Sequence, residues 1–127
     1  MKAPPTVLVV EDEALLNWDI ADALVADGFV VLQAYTGEQA LAFLERRCDV
    51  RVVFSDINLP GKIDGIALAS EIERRWPMIE LLMTSADCPP AVERMPSVSQ
   101  YGRFVPKPYP VRAVTRRIHD IVDAHAA

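Results

Sequence analysis

Chemically capable side chains stand where short apolar runs end. Glu11, Asp12 and Glu13 follow Val7–Val10, and Asp56 lies two residues past Val50–Phe54, with Ser55 before it and Ile57-Asn58-Leu59-Pro60-Gly61 after it. Thr84 and Ser85 follow Ile79–Met83, and Lys107 follows Phe104-Val105, held between Pro106 and Pro108. Carboxylates gathered in one cleft repel, so Glu11, Asp12 and Asp56 should either hold protons or bind a cation. They offer only oxygen, with no His or Cys nearby in sequence. That favours a hard ion, Mg2+ or Mn2+, which keeps several waters. Lys107 supplies a point charge for a carboxylate or a phosphoryl oxygen, and Thr84 supplies a hydroxyl. A carboxylate nucleophile with these neighbours is equipped for phosphoryl transfer, where positioning and charge neutralisation supply most of the catalysis. Each residue also has a plainer use. Glu13 can cap a helix, Thr84-Ser85 can form a turn, and Lys107 can sit solvated in a loop. It is the furnishing of four run ends together that argues for a site.

The elements that would position these groups alternate. Val7–Val10 reads as a strand buried on both faces. Leu16, Ile20, Ala23 and Leu24 recur at helical spacing from Ala14 to Asp27, and Gly28 supplies the stop. Phe29–Leu32 is a second strand. Thr36-Gly-Glu-Gln39 resembles a capping box, opening a helix through Leu44 with Ala40, Leu41 and Leu44 inward. Val50–Phe54, interrupted by Arg51, is the third strand. Asp64 caps a helix carrying Leu68, Ala69 and Ile72 that must stop before Pro77. Ile79–Met83 and Phe104-Val105 are the remaining strands, and Val111, Val114, Ile118, Ile121 and Val122 stripe the last helix. Strand–helix alternation predicts an α/β fold, a doubly wound parallel sheet with helices on both faces. Ligands of such sheets bind beyond the carboxyl ends of the strands, where these polar groups stand. Between Ser85 and Gly102, Pro89, Pro90 and Pro96 leave room for a loop with one helical turn or a short helix.

The chain has 127 residues, 51% of them hydrophobic and 24% charged, which predicts a single domain and not a disordered one. Its formal charge of −5 argues against nucleic acid or an anionic membrane as the main partner, since both need a basic footprint. Cys48 and Cys88 are too few for a disulfide framework and form no Cys-x-x-Cys pair. Pro4 and Pro5 break any signal core at the start, and no apolar run approaches a membrane span. The expected location is the cytoplasm.

Five motifs carry a family resemblance: Val-Leu-Val-Val-Glu11-Asp12-Glu13, Phe54-Ser-Asp56-Ile-Asn-Leu-Pro60-Gly, Asp64-Gly65, Leu82-Met-Thr84-Ser-Ala86 and Phe104-Val-Pro-Lys107-Pro108-Tyr109. In this order and spacing the chain resembles the receiver domain of two-component response regulators, from Val7 to about Val122. The resemblance implies the flavodoxin-like receiver fold, a five-stranded parallel sheet of order 2-1-3-4-5. It makes residues 1–127 one receiver domain with its core at about 6–124 and no output domain. It implies that Asp56 accepts a phosphoryl group from a histidine kinase, a histidine phosphotransfer protein or a small donor such as acetyl phosphate. Glu11, Asp12, Asp56 and the backbone carbonyl of Asn58 would bind Mg2+. Thr84 would be the switch hydroxyl, Lys107 the phosphate partner and Phe104 the switch aromatic. Such a protein is a signalling phosphoacceptor, not a turnover enzyme, and acts through a downstream protein target.

The chain departs from the family in places. Glu11 stands where aspartate is commoner, and Phe104 lacks the hydroxyl of the more usual tyrosine. Lys62-Ile63 lengthens the loop before Asp64 by one residue. The stretch from Cys88 to Pro96 replaces the family's usual fourth helix with something short or irregular, so a monomer or a weak dimer is expected. Trp18 and Tyr109 are candidate contact residues. The alternatives are a phosphorylation-independent pseudo-receiver scaffold and a receiver excised from a hybrid kinase or longer regulator. An aspartyl-phosphate phosphatase would want a second acid where Asn58 stands. A flavin-binding protein of this topology is disfavoured because Glu11-Asp12-Glu13 would repel a phosphate.

Overall fold

Strands β1 (Thr6–Val10), β2 (Val30–Ala34), β3 (Val50–Asp56), β4 (Glu80–Ser85) and β5 (Phe104–Pro106) alternate with helices along the chain in a computed structural model that describes residues 4–86 and 103–124. The helices among the described residues are α1 (Ala14–Ala26), α2 (Gly37–Arg46), α3 (Gly65–Arg75) and α4 (Val111–Ala124). All strands run parallel in the order β2-β1-β3-β4-β5. The proline-rich stretch from Cys88 to Pro96 lies outside the described residues.

Alternate residues of the strands feed two apolar layers. Leu8, Val10, Val53, Leu81 and Met83 pack with Leu44, Leu68 and Ile72 of α2 and α3. Val7, Val9, Val52, Phe54, Leu82 and Val105 pack with Ile20, Leu24, Val114, Ile118 and Ile121 of α1 and α4. β1 is buried throughout because both layers cover it. Arg51 interrupts the third apolar run because it falls at a register shift: Thr6 faces Val50, Val7 faces Val52, and Arg51 is exposed.

The helix starts follow their cap residues. The Thr36 hydroxyl accepts from the Gln39 amide at 3.1 Å, while the Gln39 side chain reaches back to the Tyr35 amide at 2.8 Å. Asp64 accepts from the Ala67 amide at 2.8 Å. Gly28, at φ 95°, ends α1. Glu13 occupies the cap position of α1 but makes no side-chain cap bond; its carbonyl accepts from the Asn17 amide instead.

Several boundaries differ from the sequence expectation. β2 runs from Val30 to Ala34 instead of Phe29–Leu32, because pairing with Val9 and Val10 draws in Gln33 and Ala34. β3 and β4 each run two residues further, since Ser55 pairs with Met83 and Asp56 with Thr84. Thr84 and Ser85 are therefore strand residues, not a turn. α1 is rolled from its expected face: Asn17, Ile20, Ala21 and Leu24 are buried, whereas Leu16 and Ala23 are half-buried. Leu41 of α2 is also half-buried, beside buried Ala40 and Leu44. No helix among the described residues is long and apolar enough to cross a membrane.

Candidate functional site

The two-residue period of the strands builds the site. Glu11 follows Val9 by two residues, Asp56 follows Phe54, Thr84 follows Leu82 and Lys107 follows Val105. Each leading residue packs in the α1/α4 layer. Four side chains thus leave the sheet's carboxyl end on the same face, continuing an apolar column with polar groups. The register adds the lateral order: Asp56 stands directly beside Thr84, and Val105 beside Thr84 on its other flank.

Lys107 joins two carboxylates. Its Nζ donates to Glu11 Oε1 at 2.6 Å and to Asp56 Oδ2 at 2.7 Å. The remaining oxygens accept backbone amides, Glu11 Oε2 from Glu13 at 3.0 Å and Asp56 Oδ1 from Asn58 at 2.9 Å. Glu11 and Asp56 are buried, 2% and 5% exposed, while Asp12 is exposed. Burial pushes the Glu11 carboxyl above the usual range, outweighing Lys107 and the Glu13 amide, which act in the opposite direction. Burial works against the Lys107 ammonium, but its bonds to Asp56 and Glu11 more than offset this and hold its pKa above the ordinary lysine value.

Carboxylate oxygens of Glu11, Asp12 and Asp56 lie within 4.8 Å of one another, and such a cluster could hold a metal ion. The all-oxygen donor set fits a hard divalent cation. The Thr84 hydroxyl is buried at the same strand ends with no hydrogen-bond partner among the described residues. A buried hydroxyl without a partner costs about 1–3 kcal/mol, and this one belongs to the strand residue paired with Asp56.

Surrounding residues hold this arrangement. Asn17 of α1 is fully buried, and its amide donates to the Glu11 and Ala34 carbonyls, both at 3.0 Å, while its oxygen accepts from Gln33. It thereby ties the ends of β1 and β2 to α1. Gly65 lies so close to β3 that a Cβ there would overlap the Asp56 carbonyl oxygen, and its own amide donates to the Ile57 carbonyl at 2.8 Å. The Lys107 amide donates to the Ser85 carbonyl at 3.0 Å, and the Asn58 side-chain amide donates to the Ser85 hydroxyl at 3.0 Å.

Of the residues singled out from sequence, Glu11, Asp12, Asp56, Thr84, Lys107 and Asn58 come together. Phe104 does not join them. It is half-buried across from Met83 and packs against the opposite, α2/α3 layer. Trp18 is exposed on α1, and Tyr109 is half-buried with its ring edge-on to Phe54 at 5.9 Å. Sequence reasoning missed Asn17 and Gln33, and it noted Ser85 at a strand end without giving it a role. Asn17 left one signal, a poor helix former at i, i+3, i+4, i+7 spacing with Ile20, Ala21 and Leu24.

Residues 7–119 match the model of the response regulator receiver domain. Among curated relatives, the sensor kinase CckA of Brucella abortus is 30% identical over 120 residues, which is 93% of this chain and 12% of that protein. The DNA-binding transcriptional regulator NtrC of Salmonella typhimurium is 34% identical over 109 residues, 83% of this chain and 22% of that protein. The chain therefore spans less than a quarter of either relative. The crystal structure of the receiver domain of NtrX from Brucella abortus is similar with a TM-score of 0.78 and 30% identity, over 92% of this chain and 98% of that one. The non-phosphorylated HemR receiver domain of Leptospira biflexa has a TM-score of 0.78 at 28% identity, over 93% and 94%. On this match, the shared sheet order and the acidic strand-end cluster, the chain belongs to the response regulator receiver domain family of two-component systems.

Proposed function

We propose that this receiver accepts a phosphoryl group on Asp56 from a histidine kinase or a histidine phosphotransfer protein and signals through protein–protein contacts. The observation that carries the reading is the Lys107 ammonium held between Glu11 and Asp56, beside the unpartnered Thr84 hydroxyl. Glu11, Asp12, Asp56 and the Asn58 carbonyl would hold Mg2+ (or Mn2+), which when bound neutralises charge on a phosphoryl group. The chain's own residues do the rest. The Asn58 amide and Lys107 fix the Asp56 carboxylate for attack. A bond forms between an Asp56 oxygen and phosphorus while the nitrogen–phosphorus bond of the phosphohistidine breaks, and the imidazole leaves with the bonding pair. The new group brings charge and three acceptor oxygens, to which Lys107 and the Thr84 hydroxyl are drawn. The product is a switched state, and its loss by hydrolysis resets the domain.

The relatives carry this unit as a fraction of longer proteins. The proposed output is a protein contact, whether with an attached domain or with a separate target. The experiment is incubation with acetyl phosphate, with and without Mg2+, followed by intact mass measurement. The parent should gain one phosphoryl group only with Mg2+, and Asp56→Asn should gain none. Equal labelling of Asp56→Asn would contradict the assignment.

A further inference from the structure

β2 is an edge of the sheet, and its outer backbone is open. The Val30 amide donates to the Pro5 carbonyl and the Ala34 carbonyl accepts from the Glu11 amide, both at 3.0 Å, so the even-numbered residues face β1. The two-residue period turns the amides and carbonyls of Val31 and Gln33 outward, where no strand pairs with them among the described residues. In the same phase, the amides of Phe29 and Tyr35 are already taken, by the Leu24 carbonyl and the Gln39 side chain. Natural edge strands are blunted by charge, proline or shortness. β5, at the other edge, has three residues and ends in Pro106. β2 has five, Val30-Val-Leu-Gln-Ala34, with neither charge nor proline.

Both faces of this edge carry side chains that an added strand would cover. On one face, Trp18, Asp22 and Val25 stand at i, i+4 and i+7 on α1 and form one stripe. The opposite flank of α1 turns toward α4: Leu16 and Ala23 are half-buried there, and Asp27 meets His119 of α4 at 3.0 Å. Asn17, between the two flanks, bonds Gln33, so the stripe overhangs the outer side of β2. Trp18 is 52% exposed and Val25 58%. On the other face, a groove of about 380 Å3 lined by Tyr35, Ala42, Phe43 and Arg46 opens beside Gln33. Asp22 and Arg46 make no ion pair among the described residues.

We infer that the outer edge of β2 is a docking site for an extended segment of a partner protein, which joins the sheet as an added strand through Val31 and Gln33. The open backbone groups call for an extended segment and not a helix. Charge complementarity sets its composition. Successive residues of a strand face opposite ways, so the segment presents apolar residues and a basic one to Trp18, Val25 and Asp22. To Phe43 and Arg46 it presents apolar residues and an acidic one. A second copy fits less well. Antiparallel pairing of β2 with itself about a twofold axis keeps like faces together, which sets the Asp22 stripes of the two copies side by side and the Arg46 faces likewise. None of these side chains belongs to the carboxylate cluster, so the inference stands apart from phosphoryl acceptance at Asp56.

The probe is a short capped peptide of valine and threonine with one lysine at an odd position and one glutamate at an even position. Binding to the full chain and amide hydrogen exchange are followed by NMR. At saturation, exchange at Val31 and Gln33 should slow about tenfold or more, while Leu32, which faces β1, should change little. Val31→Pro removes an outward amide without touching the β1 ladder and should abolish binding. Arg46→Glu, on the exposed end of α2, keeps the test independent of how Val31→Pro folds. It should weaken binding about fivefold, and a peptide carrying lysine in place of its glutamate should restore it. Absence of binding by the parent, saturation without slowing at Val31 and Gln33, or undiminished affinity in Arg46→Glu would overturn the inference. So would a concentration-dependent dimer of the parent alone that Val31→Pro dissolves, since a second copy would then be the occupant.

Discussion

Lys107 occupies the carboxylate oxygens that a metal would need. Its removal should therefore separate three properties. Lys107→Ala leaves Glu11 and Asp56 facing each other without a cation, so the metal-free protein should lose about 2–4 kcal/mol at neutral pH, measured by denaturant titration. Mg2+ affinity by calorimetry should hold or tighten, because a competitor has gone. The conformational response to a phosphoryl mimic should be blunted. An equal loss of metal binding would count against the assigned role. The pH dependence follows from the raised lysine pKa. Its contribution is fully present below the ordinary lysine value of 10.5 and lost as pH rises through the higher folded value. The parent should lose stability in that alkaline range, and Lys107→Ala should lose less. At this scale Glu11, Asp12, Asp56, Thr84 and Lys107 were legible in sequence because each closes an apolar run. The unpartnered hydroxyl of Tyr109 was not, since it depends on what packs around the ring.

At the scale of elements, the site depends on how α1 and α3 meet the strand ends. Gly65→Ala should cost 3 kcal/mol or more, about the upper range for overpacking, and should weaken Mg2+ binding, because the added methyl meets the Asp56 carbonyl. Chemical denaturation and calorimetry check both halves. Asn17→Ala strips donors from two carbonyls and should cost about 2–3 kcal/mol, with hydrogen exchange rising at the ends of β1 and β2. The alternation of elements and the caps at Thr36 and Asp64 were readable from local patterns. The roll of α1 was not. Its buried stripe keeps the expected Ile20 and Leu24 but takes in polar Asn17 and small Ala21 ahead of Leu16 and Ala23, a shift that hydrophobicity alone does not favour. The ends of β3 and β4 were also hidden, because Asp56 and Thr84 join the sheet through pairing with each other and not through apolar character.

For the whole molecule, the fold gathers negative charge at one end of a parallel sheet. The net charge of −5 thus has a local component in Glu11, Asp12 and Asp56. Mg2+ should raise the thermal midpoint, corresponding to about 2.7 kcal/mol at a hundredfold excess over Kd, and Glu11→Gln should abolish most of the rise. The sheet order followed from the chain's resemblance to the family, and strand–helix alternation alone supplied the doubly wound class. The site's location at the carboxyl end followed from topology. The central claim is that Asp56 carries the phosphoryl group. Borohydride reduction of protein treated with acetyl phosphate and Mg2+, followed by peptide mass spectrometry, reads this directly. The expected result is homoserine at position 56, absent when Mg2+ is withheld; homoserine at another aspartate, with position 56 unmodified, would contradict the account.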